Sequence, residues 1–259
     1  VIKRCKIARK TNSREVLIMA GERPDRSNTL RAKLDVWGYE SYIEYIYSVC
    51  ELIFLEGLLP NLNVGYLTEQ EIQVVRRITP VFTIMLESGS QDFLSKGPHA
   101  NSPYKTLESR LEMIRNAGVG KVPVTTGVIV GIGETKKDLR AAYEEIKALH
   151  KEYGNIQNVV IQNFVPQANT SMADHLAPSK KDMLEAVALA RKVLPDDVVI
   201  TVPLNLNPDI MPFIQAGVRD LGMIDLEYDV LAPDHDWPET SKIEKLLKAK
   251  GWGLQRRLQ

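Results

Sequence analysis

The chain has 259 residues, 44% of them hydrophobic, and its 33 Lys and Arg residues balance 33 Asp and Glu residues. This length and apolar content can bury a large core, in one large α/β domain or in two small ones, while the balanced charge excludes a global attraction to nucleic acid or to an anionic membrane. No apolar run approaches the roughly 18 residues of a membrane span, and residues 1–10 lack a signal-peptide pattern, which predicts a cytoplasmic protein.

Strand and helix patterns alternate along the chain. In chain order they predict a helix at residues 1–10, a strand at 15–20, helices at 27–36 and 41–56, a strand at 58–64, a helix at 68–78, a strand at 81–86, a loop at 90–103, a helix at 107–118, a strand at 122–130, a helix at 135–153, a strand at 156–164, a helix at 179–194, a strand at 198–203, a short helix at 208–216, a weak strand at 222–226 and a helix at 241–250. Capping boxes open three of these helices, at Thr68 with Glu71, Thr135 with Asp138 and Ser179 with Asp182.

This alternation predicts parallel βαβ units, and seven strands in one domain favour a β/α barrel or partial barrel over an open sheet. The sequence shows no repeat, low-complexity run or linker that divides the series. It therefore predicts an α/β fold, with residues 1–259 forming a single barrel domain.

The two cysteines, Cys5 and Cys50, lie far apart and inside helical patterns. Both are predicted to be small buried hydrophobes rather than a disulfide. Two cysteines also cannot hold a cysteine-ligated metal cluster by themselves, and the four histidines lack the spacing of metal ligands. We therefore expect no metal ligands in this sequence.

Polar residues recur at the carboxyl ends of the predicted strands. In a β/α barrel this rim is where active sites are built. The residues are Glu22, Asn61, Asn63, Glu87, Ser88, Thr125, Thr126, Gln162, Asn163, Asn205 and Asn207. Solubility and helix capping are the alternative explanation, although amides and carboxylates on nearly every strand exceed what capping needs.

The most informative stretch is VPVTTGVIVGIGE, residues 122–134. Its pattern predicts a strand buried on both faces that leads into a glycine turn and then a helix. Gly127, Gly131 and Gly133 keep a path free of side chains, where a flat ligand can lie against the backbone, and Glu134 closes the turn. The alternative is structural, since any tight turn between a strand and a helix can need glycine.

Residues 127–134, GVIVGIGE, resemble the G-x-I-x-G-x-x-E motif of radical S-adenosylmethionine (SAM) enzymes. Gly21-Glu22-Arg23-Pro24 after a strand resembles their second motif. Five further segments make the chain similar, over essentially its whole length, to the family of the first, lyase-type subunit of FO synthase, a deazaflavin-forming enzyme. They are GLLPN at 57–61, MLE at 85–87, TTG at 125–127, IQNF at 161–164 and DWP at 236–238.

The resemblance implies a full or partial β/α barrel with a [4Fe-4S] cluster and SAM bound together at its carboxyl-end rim. In this family a C-x-x-x-C-x-x-C loop after the first strand holds the cluster. The sequence has no such loop, and we expect the first strand and the cluster loop to lie upstream of Val1. The alternative is a lineage that has lost the cluster.

Roles for individual residues follow from the resemblance only. It implies that Gly21 and Glu22 lie beside the methionine amino group of SAM, and that Glu87, next to Ser88, accepts hydrogen bonds from the ribose hydroxyls. The adenine is expected against Gly127, Ile129, Gly131, Ile132 and Glu134. The residues expected to face the substrate are Asn61, Asn63, Thr125, Thr126, Gln162, Asn163 and Asn205. Hydroxyls and amides that are buried and satisfied within the barrel are the alternative.

In the family, an external donor reduces the cluster, SAM splits, and the 5′-deoxyadenosyl radical abstracts one substrate hydrogen. The substrate is an adduct of tyrosine-derived and ribitylaminouracil parts made by a second subunit, and ring closure with loss of ammonia gives FO, the chromophore of coenzyme F-420. Late segments, Pro203-Leu204-Asn205-Leu206 and residues 221–228, depart from the family pattern. Another radical SAM enzyme, biotin-synthase-like or of the menaquinone pathway, and a cluster-free barrel that binds SAM or a nucleotide-like ligand therefore stay open.

Overall fold

The computed structural model describes residues 1–90, 99, 102–224, 229 and 232–257, which form one six-stranded parallel sheet. Each strand pairs with the next one along the chain, as expected of successive βαβ units. The strands are β1 (Glu15–Met19), β2 (Leu59–Asn63), β3 (Val81–Thr83), β4 (Val124–Val130), β5 (Ile156–Asn163) and β6 (Val199–Thr201).

The helices of the described residues connect these strands and cover one face of the sheet. They are α1 (Ile2–Lys10), α2 (Asn28–Trp37), α3 (Tyr42–Leu55), α4 (Glu69–Val75), α5 (Leu107–Val119), α6 (Lys136–Tyr153), α7 (Lys180–Val193), α8 (Met211–Ala216) and α9 (Thr240–Ala249), with a short 3-10 turn at Pro24–Arg26. All three predicted capping boxes are confirmed. None of these helices is long and apolar enough to cross a membrane.

The sheet is a partial β/α barrel, because β1 and β6 are its two edges and do not pair with each other in the described part of the chain. Side chains alternate between the helix side and the lumen. The helix side is mostly apolar and buried, as at Leu62, Phe82, Val128 and Ile161. The lumen side is more polar, and several of its residues are only half-buried.

The predicted seventh strand, residues 222–226, is wrong for residues 222–224, which form no strand. The last contact with the sheet comes earlier, as a single parallel bridge from Asp220 to Thr201. The Asp220 carboxylate then accepts from the Gly222 backbone N–H at 2.6 Å, and Gly222 has a φ of +75°. This turn bends the chain away before a strand can extend. Residues 225 and 226 lie outside the described part.

The core lies between the sheet and its helices. Cys5 and Cys50 are both buried and free, so the prediction of two small buried hydrophobes without a disulfide is confirmed. Of the loop predicted at residues 90–103, residues 91–98, 100 and 101 lie outside the described part.

Candidate functional site

Residues that end the lumen side of the strands form an open mouth at the carboxyl-end rim. Met19 is 46% exposed there, and Asn63, Ile129 and Gln162 are half-buried. On the helix side of the same strands, Leu62, Val128 and Ile161 are buried, whereas Ile18 is half-buried. Three residues that the sequence pointed to, Asn63, Ile129 and Gln162, are therefore partly accessible at the rim.

Glu22, after β1, is held by two donors from other parts of the chain. Its Oε2 accepts from the Tyr66 backbone N–H at 2.9 Å, and its Oε1 accepts from the guanidinium of Arg110, which reaches it from α5. Arg110 is only 5% exposed. The carboxylate is thus fixed at the rim by a buried cation and a backbone amide.

The glycine pair beside Glu22 allows two rim loops to touch. Gly65 has a φ of +77°, and a Cβ at this position would lie 2.7 Å from the Gly21 carbonyl oxygen. Any larger residue at position 65 would push apart the loops that follow β1 and β2. This close approach places the Tyr66 amide against Glu22.

Glu87 lies on a bulge that continues β3. The Ile84 N–H donates to Thr125 O, and the Glu87 N–H donates to Gly127 O. Between these two hydrogen bonds the chain after β3 advances by three residues while β4 advances by two, which defines the bulge. Glu87 itself has a φ of +70°, which is rare for a residue other than glycine. Because bulges redirect side chains, this one sends the Glu87 carboxylate toward the charged groups of the rim.

Glu87 is 6% exposed, and its carboxylate faces a lysine and a histidine. Lys105 Nζ lies 3.1 Å from Oε1, and His99 Nε2 lies 3.5 Å from Oε2. Burial alone would raise its pKa, but His99, Lys105 and the more distant Arg110 outweigh burial and lower the pKa of Glu87 to about 2. The group is therefore ionised. Its Oε2 makes no hydrogen bond within the described residues, although His99 Nε2 lies 3.5 Å away.

Ser88 and Gly89, which follow Glu87, form a turn that packs closely against α6. A Cβ on Gly89 would lie 2.4 Å from the backbone nitrogen of Ala142 in α6. The Ser88 hydroxyl, expected at the cofactor, accepts from the Ser90 backbone N–H at 3.2 Å. Ser88 therefore shapes this turn, and Gly89 locks the turn onto the helix.

The glycine turn after β4 is held by its own glutamate. The Glu134 carboxylate accepts from the backbone N–H groups of Gly131, at 3.0 and 3.1 Å, and of Ile132, at 3.0 Å. Gly131 and Gly133 have φ values of +97° and +105°, which require glycine. Both oxygens of the Glu134 side chain are engaged by the turn. The expectation that residues 127–134 lie against the adenine stays a prediction.

Gly127 and Ile129 lie on the lumen side of β4, in register with Val160 and Gln162 of β5. A Cβ on Gly127 would lie 2.0 Å from the Val160 carbonyl oxygen, so glycine is needed for the two strands to approach. The half-buried Ile129 offers an apolar surface at the rim. Ile132 is buried, at 5% exposed.

The residues expected to face the substrate separate into two groups. Asn61, Asn63, Thr125 and Gln162 lie on the lumen side of their strands. Thr126 is wrong as a substrate contact: its register partner is Val159 and it is 0% exposed on the helix side. Strand alternation puts consecutive residues on opposite faces, so only one of the two threonines can face a ligand.

The amide side chains of Asn163, Asn205 and Asn207, at or beyond the ends of β5 and β6, form hydrogen bonds that use part of their donors and acceptors. Asn207 Nδ2 donates to Asn163 Oδ1 at 2.7 Å, and Asn163 Nδ2 donates back to Asn207 Oδ1 at 3.3 Å. Asn205 Nδ2 donates to Asp229 at 2.8 Å, while Asn205 Oδ1 has no partner among the described residues. Asn163 therefore fits the structural alternative, whereas Asn205 retains an acceptor for a ligand.

Sequence reasoning missed the cations that organise the rim, Arg110 and Lys105. Arg110 lies three residues after Leu107 and four before Ile114, so it falls on the apolar stripe of α5. A charge on that stripe is the signal that could have identified it. The stacked rings of Tyr66 and Tyr104, 5.5 Å apart, were also missed. The guanidinium of Arg26 lies 4.5 Å from the centroid of Tyr104.

These residues fit a zwitterionic ligand that carries a diol, but they do not fit a metal cluster. In the described part of the chain, no group of three or more His, Cys, Asp or Glu side chains could hold a metal ion. The fit to such a ligand rests on Glu22 and Arg110 as a charge pair, and on the Glu87 oxygen that makes no hydrogen bond within the described part of the chain.

No family model matches the chain. It is 39% identical over 240 residues to the 7,8-didemethyl-8-hydroxy-5-deazariboflavin synthase of Methanococcoides burtonii, which covers 92% of this chain and 71% of that protein. It is 38% identical over 240 residues to the enzyme of the same name from Archaeoglobus fulgidus, covering 92% of this chain and 73% of that one.

Two solved structures share the fold. The FeFe-hydrogenase maturase HydG from Carboxydothermus hydrogenoformans matches with a TM-score of 0.71 and 18% identity, covering 97% of this chain and 58% of that chain. Methylornithine synthase (PylB) matches with a TM-score of 0.66 and 14% identity, covering 98% of this chain and 72% of that chain. At these identities the likeness shows the fold alone.

Proposed function

Because this chain belongs to the 7,8-didemethyl-8-hydroxy-5-deazariboflavin synthase family, as a radical SAM lyase of deazaflavin biosynthesis, we propose that its barrel mouth binds SAM against a substrate in the lumen. One observation carries the proposal. The half-buried carboxylate of Glu22 and the buried carboxylate of Glu87 are both fixed at the rim, and the buried cation Arg110 interacts with each of them. Such a charge arrangement is costly unless a ligand uses it.

The methionine end of SAM carries an ammonium and a carboxylate, which match Glu22 and Arg110. Arg110 has capacity left, since its Nε has no hydrogen-bond partner among the described residues. A carboxylate can accept from both hydroxyls of a ribose. Oε2 of Glu87 makes no hydrogen bond within the described residues, and a ribose hydroxyl would bind it beside His99. The adenine would lie against Ile129 and the backbone path that starts at Gly127.

In this family SAM and a [4Fe-4S] cluster together supply the 5′-deoxyadenosyl radical that removes one substrate hydrogen. The described residues contain no ligand set for a cluster. Their part is to bind SAM, to orient its ribose toward the lumen and to keep out water and other hydrogen donors. Glu87, ionised and fixed on its bulge, is the residue that orients the ribose.

We further propose that the substrate is the adduct of tyrosine-derived and ribitylaminouracil parts. A second subunit would deliver it, and an external one-electron donor would reduce the cluster. The support is the family product, a deazaflavin that contains the ribitylated pyrimidine ring. The half-buried amides of Asn63 and Gln162 at the mouth suit the oxygen and nitrogen edges of such a ring.

Calorimetric titration of SAM tests this proposal on the full chain. We expect Glu87→Gln and Glu22→Gln to weaken SAM binding by about tenfold or more, since each removes a charged hydrogen-bond acceptor. The matched control is Glu185→Gln, which also breaks an ion pair, with Lys136, but on the exposed surface. Thermal unfolding of each variant confirms that it is folded. Equal affinity in all four proteins would refute the site.

A further inference from the structure

Deep in the lumen, each of the six strands contributes a polar side chain. These residues, called the lumen belt here, are Glu15, Asn61, Thr83, Thr125, Asn158 and Thr201. Four of them were not among the residues that the sequence pointed to. The interior of a β/α barrel is normally filled by branched apolar side chains, so an unbroken row of polar ones needs a reason.

The lumen belt consists of two hydrogen-bonded groups with a gap between them. On one side, Asn61 Nδ2 donates to Glu15 Oε1 at 2.7 Å, and Thr83 Oγ1 donates to Asn61 Oδ1 at 2.9 Å. On the other side, Thr201 Oγ1 donates to Asn158 Oδ1 at 2.7 Å. These bonds use the belt's own groups and fix their orientation.

Thr125 occupies the gap. It is in register with Thr83 on one side and with Asn158 on the other. It is 7% exposed, and its Oγ1 has no hydrogen-bond partner among the described residues. A buried hydroxyl without a partner is unfavourable, and valine would fill the same space without that cost. The hydroxyl can thus bond a partner that the described part of the chain does not supply.

A ligand can reach Thr125 from the rim. Above it on the lumen side of β4 comes Gly127, which has no side chain, and then the half-buried Ile129 at the mouth. The methyl group of Met85 lies over Gly127, and an unbranched thioether can move aside. Thr83 is also half-buried, so the lumen is not sealed at this depth.

The chemistry of the belt selects among ligand classes. It offers a carboxylate, two amides and three hydroxyls, and its six side chains include no Lys or Arg to attract a phosphate. An aromatic ring would need apolar walls. A chain of hydroxyls fits, because each hydroxyl both donates and accepts and so matches a row of alternating donors and acceptors.

We propose that the lumen belt is the subsite for a polyhydroxylated chain of the substrate, with the Thr125 hydroxyl bonded directly to it. This inference rests on the proposed function, whose family product carries a ribityl chain. It sets the orientation of the substrate: the polyol points down toward the amino ends of the strands, and the ring system stays at the rim beside Glu22 and Glu87.

The chain offers a matched pair of variants for the test, Thr125→Val and Thr126→Val. Both remove a buried hydroxyl that has no hydrogen-bond partner within the described residues, and the two residues are adjacent on opposite faces of β4. The probes are 5-amino-6-ribitylaminouracil and 5,6-diaminouracil, which lacks the ribityl chain. Their affinities are measured by calorimetry with SAM present, and SAM affinity is measured separately.

We expect the wild type and Thr126→Val to prefer the ribityl compound, and Thr125→Val to bind it roughly fivefold to tenfold more weakly, as expected for one neutral hydrogen bond. Binding of 5,6-diaminouracil and of SAM should not change, and Thr125→Ser, which keeps the hydroxyl, should restore affinity. Equal losses in both valine variants, or no preference in the wild type, would overturn the proposal. If SAM binding were insensitive to Glu87→Gln while this preference persisted, the SAM site would fail and the belt would stand.

Discussion

The ion pair between Arg110 and Glu22 can be tested by replacing Arg110 with methionine. The side chains of Arg110 and Glu22 are 6% and 12% exposed, so water can replace the lost partner only in part. Removing one member of a buried pair costs about 3–5 kcal/mol of the free energy of unfolding. We expect Arg110→Met to lie in this range, because it leaves both Glu22 and Glu87 without their shared cation.

Glu22→Gln should cost less than Arg110→Met. Glutamine still accepts from the Tyr66 backbone N–H, and Arg110 still faces Glu87. The double variant should therefore be more stable than the sum of the two losses predicts, with a coupling energy of about 2 kcal/mol.

Urea unfolding of the wild type, the two single variants and the double variant gives the four free energies of this cycle. The control cycle uses the exposed pair Lys136 and Glu185, where the expected coupling is about 0–1 kcal/mol. Additive losses at Arg110 and Glu22, or a loss below about 1 kcal/mol for Arg110→Met, would show that the rim is not organised by this pair.

Three further outcomes are expected. The pKa of Glu87 lies below its ordinary value of 4.5, so the charge of Glu87 stabilises the fold above about pH 4.5. The free energy of unfolding of the wild type should exceed that of Glu87→Gln by less and less as the pH falls from 4.5 to 2. A difference that does not change with pH would contradict this. Gly89→Ala should lower the free energy of unfolding, measured in urea, by about 1–3 kcal/mol, because the added Cβ meets the α6 backbone. The control Gly253→Ala should be nearly neutral, because no atom lies within 4 Å of its added Cβ. Similar losses in both variants would contradict the close packing at Gly89. Glu134→Ala should speed hydrogen exchange at the two backbone amides that bond to its carboxylate, and should weaken SAM binding less than Glu87→Gln does. A larger loss of SAM affinity in Glu134→Ala than in Glu87→Gln would indicate that the Glu134 carboxylate contacts the cofactor.

The elements that local sequence determines were predicted well. A capping box such as Thr135 with Asp138 depends only on residues within a four-residue segment, so it can be identified from the sequence, and the structure contains it. The seventh strand failed because the Asp220 carboxylate captures a backbone amide and turns the chain, a competition that apolar periodicity does not register.

The site could be predicted only in part, since its residues come from distant segments. Strand ends identified Glu22 and Glu87, but the cation that both of them face lies on a helix 88 residues after Glu22. Thr126 was assigned to the lumen with Thr125, although strand alternation allows only one of them to face it. The GIGE motif was recognised, but whether Glu134 serves a ligand or its own turn depends on backbone geometry that the sequence does not reveal.

Glu87 occupies a backbone conformation that asparagine or glycine would adopt more readily. Its N–H and C=O both bond to β4, at Gly127 and Ile129, so the residue belongs to the rigid sheet and not to the loop that follows. The Glu87 carboxylate is consequently held at a fixed position relative to β4, the strand that also carries Ile129 and, deeper in the lumen, Thr125. Sequence drift in the outer loops can alter access to the mouth while the spacing between the proposed ribose contact and the lumen stays constant.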